Sequence, residues 1–160
     1  MVSIEDLRSV VLFEHLTDPM LEQLLPMVQV ESFGERHVIY EAGTAADHFY
    51  SLKRGKVLLE AELAPAVIIA LGAIKSGYSF GWSALLRGES HTSYAVSAEP
   101  SEIFLLPGDK LTALLDRDPA MGYLLMKKMA VIFGNRLERR TAQFLNVITK
   151  HPEIAELLGL

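Results

Sequence analysis

The 160-residue chain contains no cysteine, which excludes a disulfide scaffold, a thiol nucleophile and any zinc or iron site built on thiolates. It has no long apolar run either. The longest, from Ala66 to Ile74, is interrupted by Gly72 and falls far short of the roughly 20 residues that a membrane-spanning helix needs. Glu5, Asp6 and Arg8 break the N-terminal segment, which lacks the charged-then-apolar layout of a secretion signal, so the expected location is the cytoplasm. Positive charge is scarce through Met1 to Asp118, where nine basic side chains face seventeen acidic ones. That balance argues against nucleic acid wrapping most of the surface, because phosphate contacts need clustered Lys and Arg. Pro119 to Lys150 reverses it, with six basic residues against one acidic. Lys127, Lys128, Arg136, Arg139 and Arg140 are read first as the solvent face of a long helix. Half the residues are apolar and 22% are charged, the composition of one soluble domain, and a chain of this size sustains a single core without cross-links.

Three regions follow from the patterning. Ser3-Ile-Glu-Asp6 has the form of a capping box, and Leu7, Val10 and Val11 predict a helix from Ile4 to Glu14. Asp18-Pro19 opens a second helix that ends at Pro26. From Met27 the period becomes two: Val28, Val30, Val38, Tyr40, Phe49, Ser51, Val57 and Leu59 alternate in short strands broken at Gly34, Gly43 and Gly55. Further strands are expected at Val67–Leu71, Thr92–Ala98 and Glu102–Leu106, with turns at Lys75-Ser-Gly77 and Glu99-Pro100. This is the rhythm of a β barrel or jelly roll. The turn glycines are assigned the positive φ that tight reversals demand. Phe49 and Tyr50 must point to opposite faces of their strand, one into the barrel and one beneath a flanking helix. Helices return at Gly108-Asp109 and at Asp118-Pro119. The expected layout is one domain over 1–160: N-terminal helices to 26, a jelly roll over 27–107, helices over 108–150 and a tail over 151–160. The second C-terminal helix carries an apolar stripe including Met121, Leu125, Met129, Phe133, Leu137, Phe144 and Ile148. A stripe that long exceeds what packing on the barrel requires, so part of it is expected to face a partner, with Gly134 as a bend or a close crossing.

Enzymatic signatures do not emerge. His15, His37, His48, His91 and His151 include no His-x-His pair or adjacent Glu at ligand spacing, so a metal site on a jelly roll is not supported, and an isolated His48 or His91 is read as structural rather than as a haem ligand. Ser83 and His91 lack a third orienting group for nucleophile and base. No catalytic residue, metal or resident cofactor is assigned, and the chain is expected not to be an enzyme.

The stretch from Phe33 to Val57 resembles the opening of a cyclic nucleotide-binding domain of the catabolite activator protein and protein kinase A regulatory type. Gly34, Ile39, Glu41, Gly43, Ala46, Phe49, Tyr50, Gly55 and Val57 occur in family order, followed by Phe80-Gly81 and Ala84-Leu85-Leu86. The resemblance extends over roughly Leu7 to Ile148. It implies a double-stranded β-helix jelly roll with N-terminal helices and a long C-terminal helix.

The same resemblance implies that Ser79 to Ala95 holds a phosphate-binding cassette. In it, backbone N–H groups at the start of a short helix meet a cyclic phosphate, as helix N-termini do. Gly81, Ser83 and Ala84 keep that part. Aligned without gaps, the ribose-binding Glu of the family falls on Trp82 and the phosphate-binding Arg on His91, followed by Thr92. Replacing a forked guanidinium with an imidazole weakens phosphate capture by about one to two powers of ten, and a His of ordinary pKa is only about a quarter charged at pH 7. Trp82 is expected to plug the cavity or line an altered pocket, ahead of stacking on a purine. Arg87, four residues before His91, is read as solvated.

The expected function is thus a non-enzymatic small-molecule sensing or regulatory module, with weak or altered cyclic-nucleotide binding at Gly81, Trp82, Ser83, Ala84, His91 and Thr92. Signalling is expected through the long C-terminal helix, by homodimerisation or through a separate protein partner, with no nucleic acid and no membrane involved. The alternative is a ligand-free scaffold acting as an interaction or dimerisation domain. A helix-turn-helix module needs roughly seventy residues after the long helix, and only Thr149 to Leu160 remain, so DNA reading in that manner is not expected of this chain.

Overall fold

The computed structural model describes residues 2–86 and 88–158. Ser3 closes its capping box: its hydroxyl accepts the Asp6 N–H and the Asp6 carboxylate accepts the Ser3 N–H, each at 3.1 Å. Helix α1 (Ile4–Arg8) therefore starts where the sequence places it, but it does not reach Glu14. Val10 is extended, the Val11 N–H donates to the Gly77 carbonyl at 2.8 Å, and the chain resumes as a 3₁₀ turn over Val11–Phe13. A long-range hydrogen bond has ended a helix that apolar spacing alone would have continued. Helix α2 (Asp18–Leu24) is preceded by Thr17 as its N-cap, while the Asp18 carboxylate pairs with Arg8.

Eight strands follow: β1 (Gln29–Phe33), β2 (Val38–Tyr40), β3 (His48–Arg54), β4 (Lys56–Ala64), β5 (Val67–Lys75), β6 (Ser79–Phe80), β7 (Tyr94–Ser97) and β8 (Ser101–Pro107). They form two antiparallel four-stranded sheets, in the orders β1-β8-β3-β6 and β2-β7-β4-β5, the jelly roll expected from the alternation. Tyr50, Leu52, Val57, Phe80, Ala95 and Ile103 fill its interior; fully burying one apolar side chain of such size contributes about 1.5–3 kcal/mol. Phe49 is buried on the opposite face of β3, so the two neighbouring aromatics divide as strand geometry requires.

Three departures have local causes. Strand β5 continues past Leu71 to Lys75 because a bulge absorbs one residue: Leu59 pairs with Gly72 and Glu60 with Ala70. Strand β7 begins at Tyr94 rather than Thr92 because the His91 backbone is tied elsewhere, as described below. The turn after β1 places its positive φ on Arg36 (60°) and not on Gly34, and the Arg36 N–H donates to the Ser97 carbonyl at 2.7 Å. Gly55 behaves as expected, with φ of 102° and room for no side chain: a Cβ there would lie 2.7 Å from the Pro100 carbonyl oxygen.

Helix α3 (Gly108–Arg117) leads through Asp118, whose Oδ1 accepts the Met121 N–H at 3.0 Å, into α4 (Pro119–Lys150). The terminal segment forms α5 (Pro152–Leu158), with Pro in the first turn where its missing N–H costs nothing. The chain divides into two compact units, Met1–Leu125 and Met126–Leu160, with the boundary inside α4. Gly134 neither breaks α4 nor marks a close crossing within the chain, since a Cβ there would meet nothing within 4 Å. Among the described residues no helix is long and apolar enough to cross a membrane.

Candidate functional site

The Ser79–Ala95 segment leaves the barrel at β6 and turns at Gly81, whose φ of 72° is left-handed. A Cβ here would come within 2.5 Å of the Tyr50 ring and 3.2 Å of the His48 carbonyl oxygen, so glycine is required on two counts. A 3₁₀ turn over Trp82–Leu85 follows, in which the Ala84 N–H donates to the Gly81 carbonyl at 3.1 Å. Ala84 is buried against the start of α3: a Cβ on Gly108 would overlap the Ala84 carbonyl group. The Gly108 N–H donates to the Asp47 carbonyl at 2.8 Å, fixing the helix start to the approach of β3.

His91 is held by backbone bonds on both sides. Its N–H donates to the Thr44 carbonyl at 2.9 Å, and its carbonyl accepts the Gly43 N–H at 2.8 Å. The side chain is buried, and its ring lies flat on Tyr40, with centroids 3.6 Å apart and planes inclined by 7°. Burial pushes the His91 pKa below its ordinary 6.5, only partly opposed by the Asp47 carboxylate, so the ring is mainly neutral at pH 7. The His91 imidazole thus brings less charge than an ordinary histidine.

Tyr40 is the centre of the arrangement. The β2–β7 pairing slips between Val38, opposite Val96, and Tyr40, opposite Ala95. This bulge lets consecutive Ile39 and Tyr40 both pack on the barrel core, while Val38 is exposed. The Tyr40 ring lies 5.4 Å from Tyr50 and 6.1 Å from Phe80. The Ser93 hydroxyl and the Gly81 amide ease ionisation of its phenol, against the larger opposing effects of burial and Tyr50. Burial raises the Tyr40 pKa above the usual phenol range, and burial with the nearby carboxylates of Glu31 and Asp47 pushes Tyr50 up to about 12.

The structure thus brings Gly81, Ala84 and His91 around one end of the barrel, with Ser83 half-buried in the 3₁₀ turn and Thr92 exposed. Of the backbone donors expected to face an anion, that of Ala84 is used inside the protein, on the Gly81 carbonyl. The Trp82 ring stands edge-on to Phe49 at 5.1 Å, on the face of β3 away from Tyr50. Arg87 lies outside the described residues. Tyr40 and Ser93 were not singled out from sequence, where Tyr40 reads as one more alternating aromatic. The available signal was its hydroxyl, which a buried tyrosine must satisfy. A cleft of about 570 Å³ borders the same segment, lined by Asp47, His48, Ala84, Leu86, Asp109 and Thr112 among others.

Comparison with known proteins places these features in a group. The profile of the cyclic nucleotide-binding domain matches residues 30–118. A Rhodopseudomonas palustris protein described as a potassium channel protein is 27% identical over 148 residues, which is 92% of this chain and 32% of that one. The chain therefore spans about a third of that relative's length. A Geobacter metallireducens structure described as a cyclic nucleotide-binding protein is 28% identical, with a TM-score of 0.75 over 86% of this chain and 99% of that one. The Thermus thermophilus catabolite activator protein, 24% identical, has a TM-score of 0.70 over 87% of this chain and 63% of that one, a likeness of fold.

Proposed function

The chain belongs to the cyclic nucleotide-binding domain family, and we propose that it is a non-enzymatic ligand-sensing regulatory module with weak or altered affinity for cyclic nucleotides. A small anionic or nucleotide-like molecule would enter beside Gly81–Ala84, His91 and Thr92. The observation that carries this reading is His91 itself. His91 is buried and mainly neutral, and the family resemblance aligns it with the arginine that neutralises the phosphate. The matched family is a ligand-binding domain, which supports a non-enzymatic role; we further propose a cytoplasmic location and no resident cofactor.

Output through the long helix is supported by contacts within the first unit. The cassette residue Ala84 abuts Gly108 at the start of α3, and α3 in turn meets the first turns of α4, where a Cβ on Gly122 would lie 2.9 Å from the Leu115 carbonyl oxygen. A displaced Ala84 must therefore move α3 or strain it. For a ligand to signal, it must bind one helix arrangement better than another. Met126, Phe133 and Val147 and, offset by four, Leu137 and Phe144 are exposed apolar residues of α4 at heptad spacing, the pattern of a helical seam. That seam favours self-association, and with it a second reading in which the domain serves as a dimerisation scaffold without a ligand.

Trp82 is the sole tryptophan and belongs to the cassette. Its fluorescence during titration with cyclic AMP and cyclic GMP, together with thermal stability at millimolar ligand, tests the proposal. A saturable response with a raised Tm is expected; an unchanged spectrum and Tm would leave the scaffold reading.

A further inference from the structure

Strand β5 lies last in its sheet, so its far side pairs with no strand among the described residues. Unpaired edges invite another chain, and proteins usually keep them short or charged. The other three edge strands fit that habit: β2 has three residues, β6 has two, and β1 carries Glu31 among its five. Strand β5 has nine, without a charge before Lys75. Ile68 and Ile69, neighbours that point to opposite faces of the strand, are 61% and 39% exposed, and Leu63 across the turn is 70% exposed. The charges of the β4–β5 hairpin are also sorted along its length. Lys56 pairs with Lys75 at one end, and Glu62 pairs with Ile68 towards the other. Two lysines directly opposite each other repel, and neither ammonium has a carboxylate partner among the described residues.

We propose that the β5 edge pairs antiparallel with the β5 edge of a second copy of this chain, about a two-fold axis between Leu71 and Gly72. Charge selects the occupant. Antiparallel overlap sets the acidic end of each hairpin beside the basic end of the other, whereas parallel overlap sets lysines beside lysines. Parity selects the register. The bulge that skips Leu71 puts Ile68, Ala70, Ala73 and Lys75 on one face, opposite Glu62, Glu60, Leu58 and Lys56. Directly paired residues of neighbouring strands share a face. Full overlap then joins Lys75 to Ile68, Ile74 to Ile69 and Ala73 to Ala70 of the second copy. Lys75 of one copy consequently lies two strand spacings, about 10 Å, from Glu62 of the other, within reach of their two side chains. This interface is separate from the α4 seam and from the ligand site and depends on neither.

A chain without cysteine lets single introduced thiols report the pairing. Ala70 and Ala73 are exposed, so Ala70→Cys and Ala73→Cys leave the core untouched. Each is made together with Leu137→Lys and Phe144→Lys, which remove the apolar seam of α4 from the readout. A contact along one strand edge is small, so mild oxidation is carried out at about 1 mM protein. Mixing the two variants is expected to give the mixed disulfide about tenfold faster than either alone gives its own dimer. Directly paired residues have Cα atoms about 4.5–5.5 Å apart, which a disulfide bridges, whereas like residues lie offset by about 10 Å along the strands. Lys75→Glu, which sets a carboxylate beside Glu62 of the second copy, is expected to slow the mixed product about fivefold. Absence of the mixed disulfide overturns the proposal, as does linking of each variant to itself at the same rate. An unchanged rate in Lys75→Glu overturns it as well, because charge then does not choose the occupant.

Discussion

The Tyr40 phenol and the His91 imidazole lie face to face, 3.6 Å between centroids and 7° between planes, at the end of the barrel where the Gly81 turn begins. The pair brings two mainly neutral rings to this end of the barrel. Its consequences reach pH dependence, packing and ligand affinity alike.

His91 titrates below 6.5 in the folded protein because burial disfavours its cation. In the unfolded chain it returns to about 6.5. As pH falls, the unfolded state takes up the proton first, so the contribution is fully present above pH 6.5 and is lost as pH drops through the folded value. Imidazole NMR resonances are expected to place the His91 midpoint below 6.5. The acid-side loss of unfolding free energy should shrink in His91→Phe, which keeps a ring on Tyr40.

On the alkaline side the sign reverses. Tyr50 is pushed up to about 12 and Tyr40 is raised further still. Their stabilising effect is complete below pH 10 and is lost as pH rises through the folded values, because the unfolded phenols release their protons near 10. Of the five tyrosines, Tyr40 and Tyr50 are expected to ionise late and together with loss of circular dichroism. Tyr40→Phe should remove one group from that late class.

Two glycines carry the junction between cassette and helices. Gly81→Ala is expected to cost about 2–4 kcal/mol, from the left-handed backbone and overlap with the Tyr50 ring. Gly108→Ala forces a methyl group against the Ala84 carbonyl and is expected to cost about 1–3 kcal/mol. Urea unfolding followed by circular dichroism measures both. Equal, negligible effects would mean that the cassette and α3 do not press on each other.

The architecture was legible because its signals were local and mutually consistent. The Ser3–Asp6 capping box, the Asp118 cap and the alternation around Phe49 and Tyr50 each demanded one geometry, and each was met. The misplaced boundaries came from partners distant in sequence: Gly77 ends α1, and the bulge opposite Leu59 carries β5 through Gly72. Within the site, His91 was assigned to the cassette by alignment with the family it resembles. The stacking of Tyr40 on His91 joins residues far apart in sequence and sits beside a register slip in β2, which no periodicity reveals.

The seam on α4 makes a statement about assembly. Leu137 is 69% and Phe144 64% exposed, apolar surface at heptad spacing of the kind that a second helix covers. Sedimentation equilibrium is expected to give a homodimer, and Leu137→Lys with Phe144→Lys to give a monomer. A wild-type monomer across the concentration range would assign the seam to another protein.

The most direct measurement is the dissociation constant of cyclic AMP for the wild type and for His91→Arg, by calorimetry under identical salt. Introducing a guanidinium at this position is expected to tighten binding about ten- to a hundredfold, the value of a charge-assisted, forked contact to phosphate. Unchanged affinity, or no binding by either protein, would contradict a phosphate site weakened by its histidine.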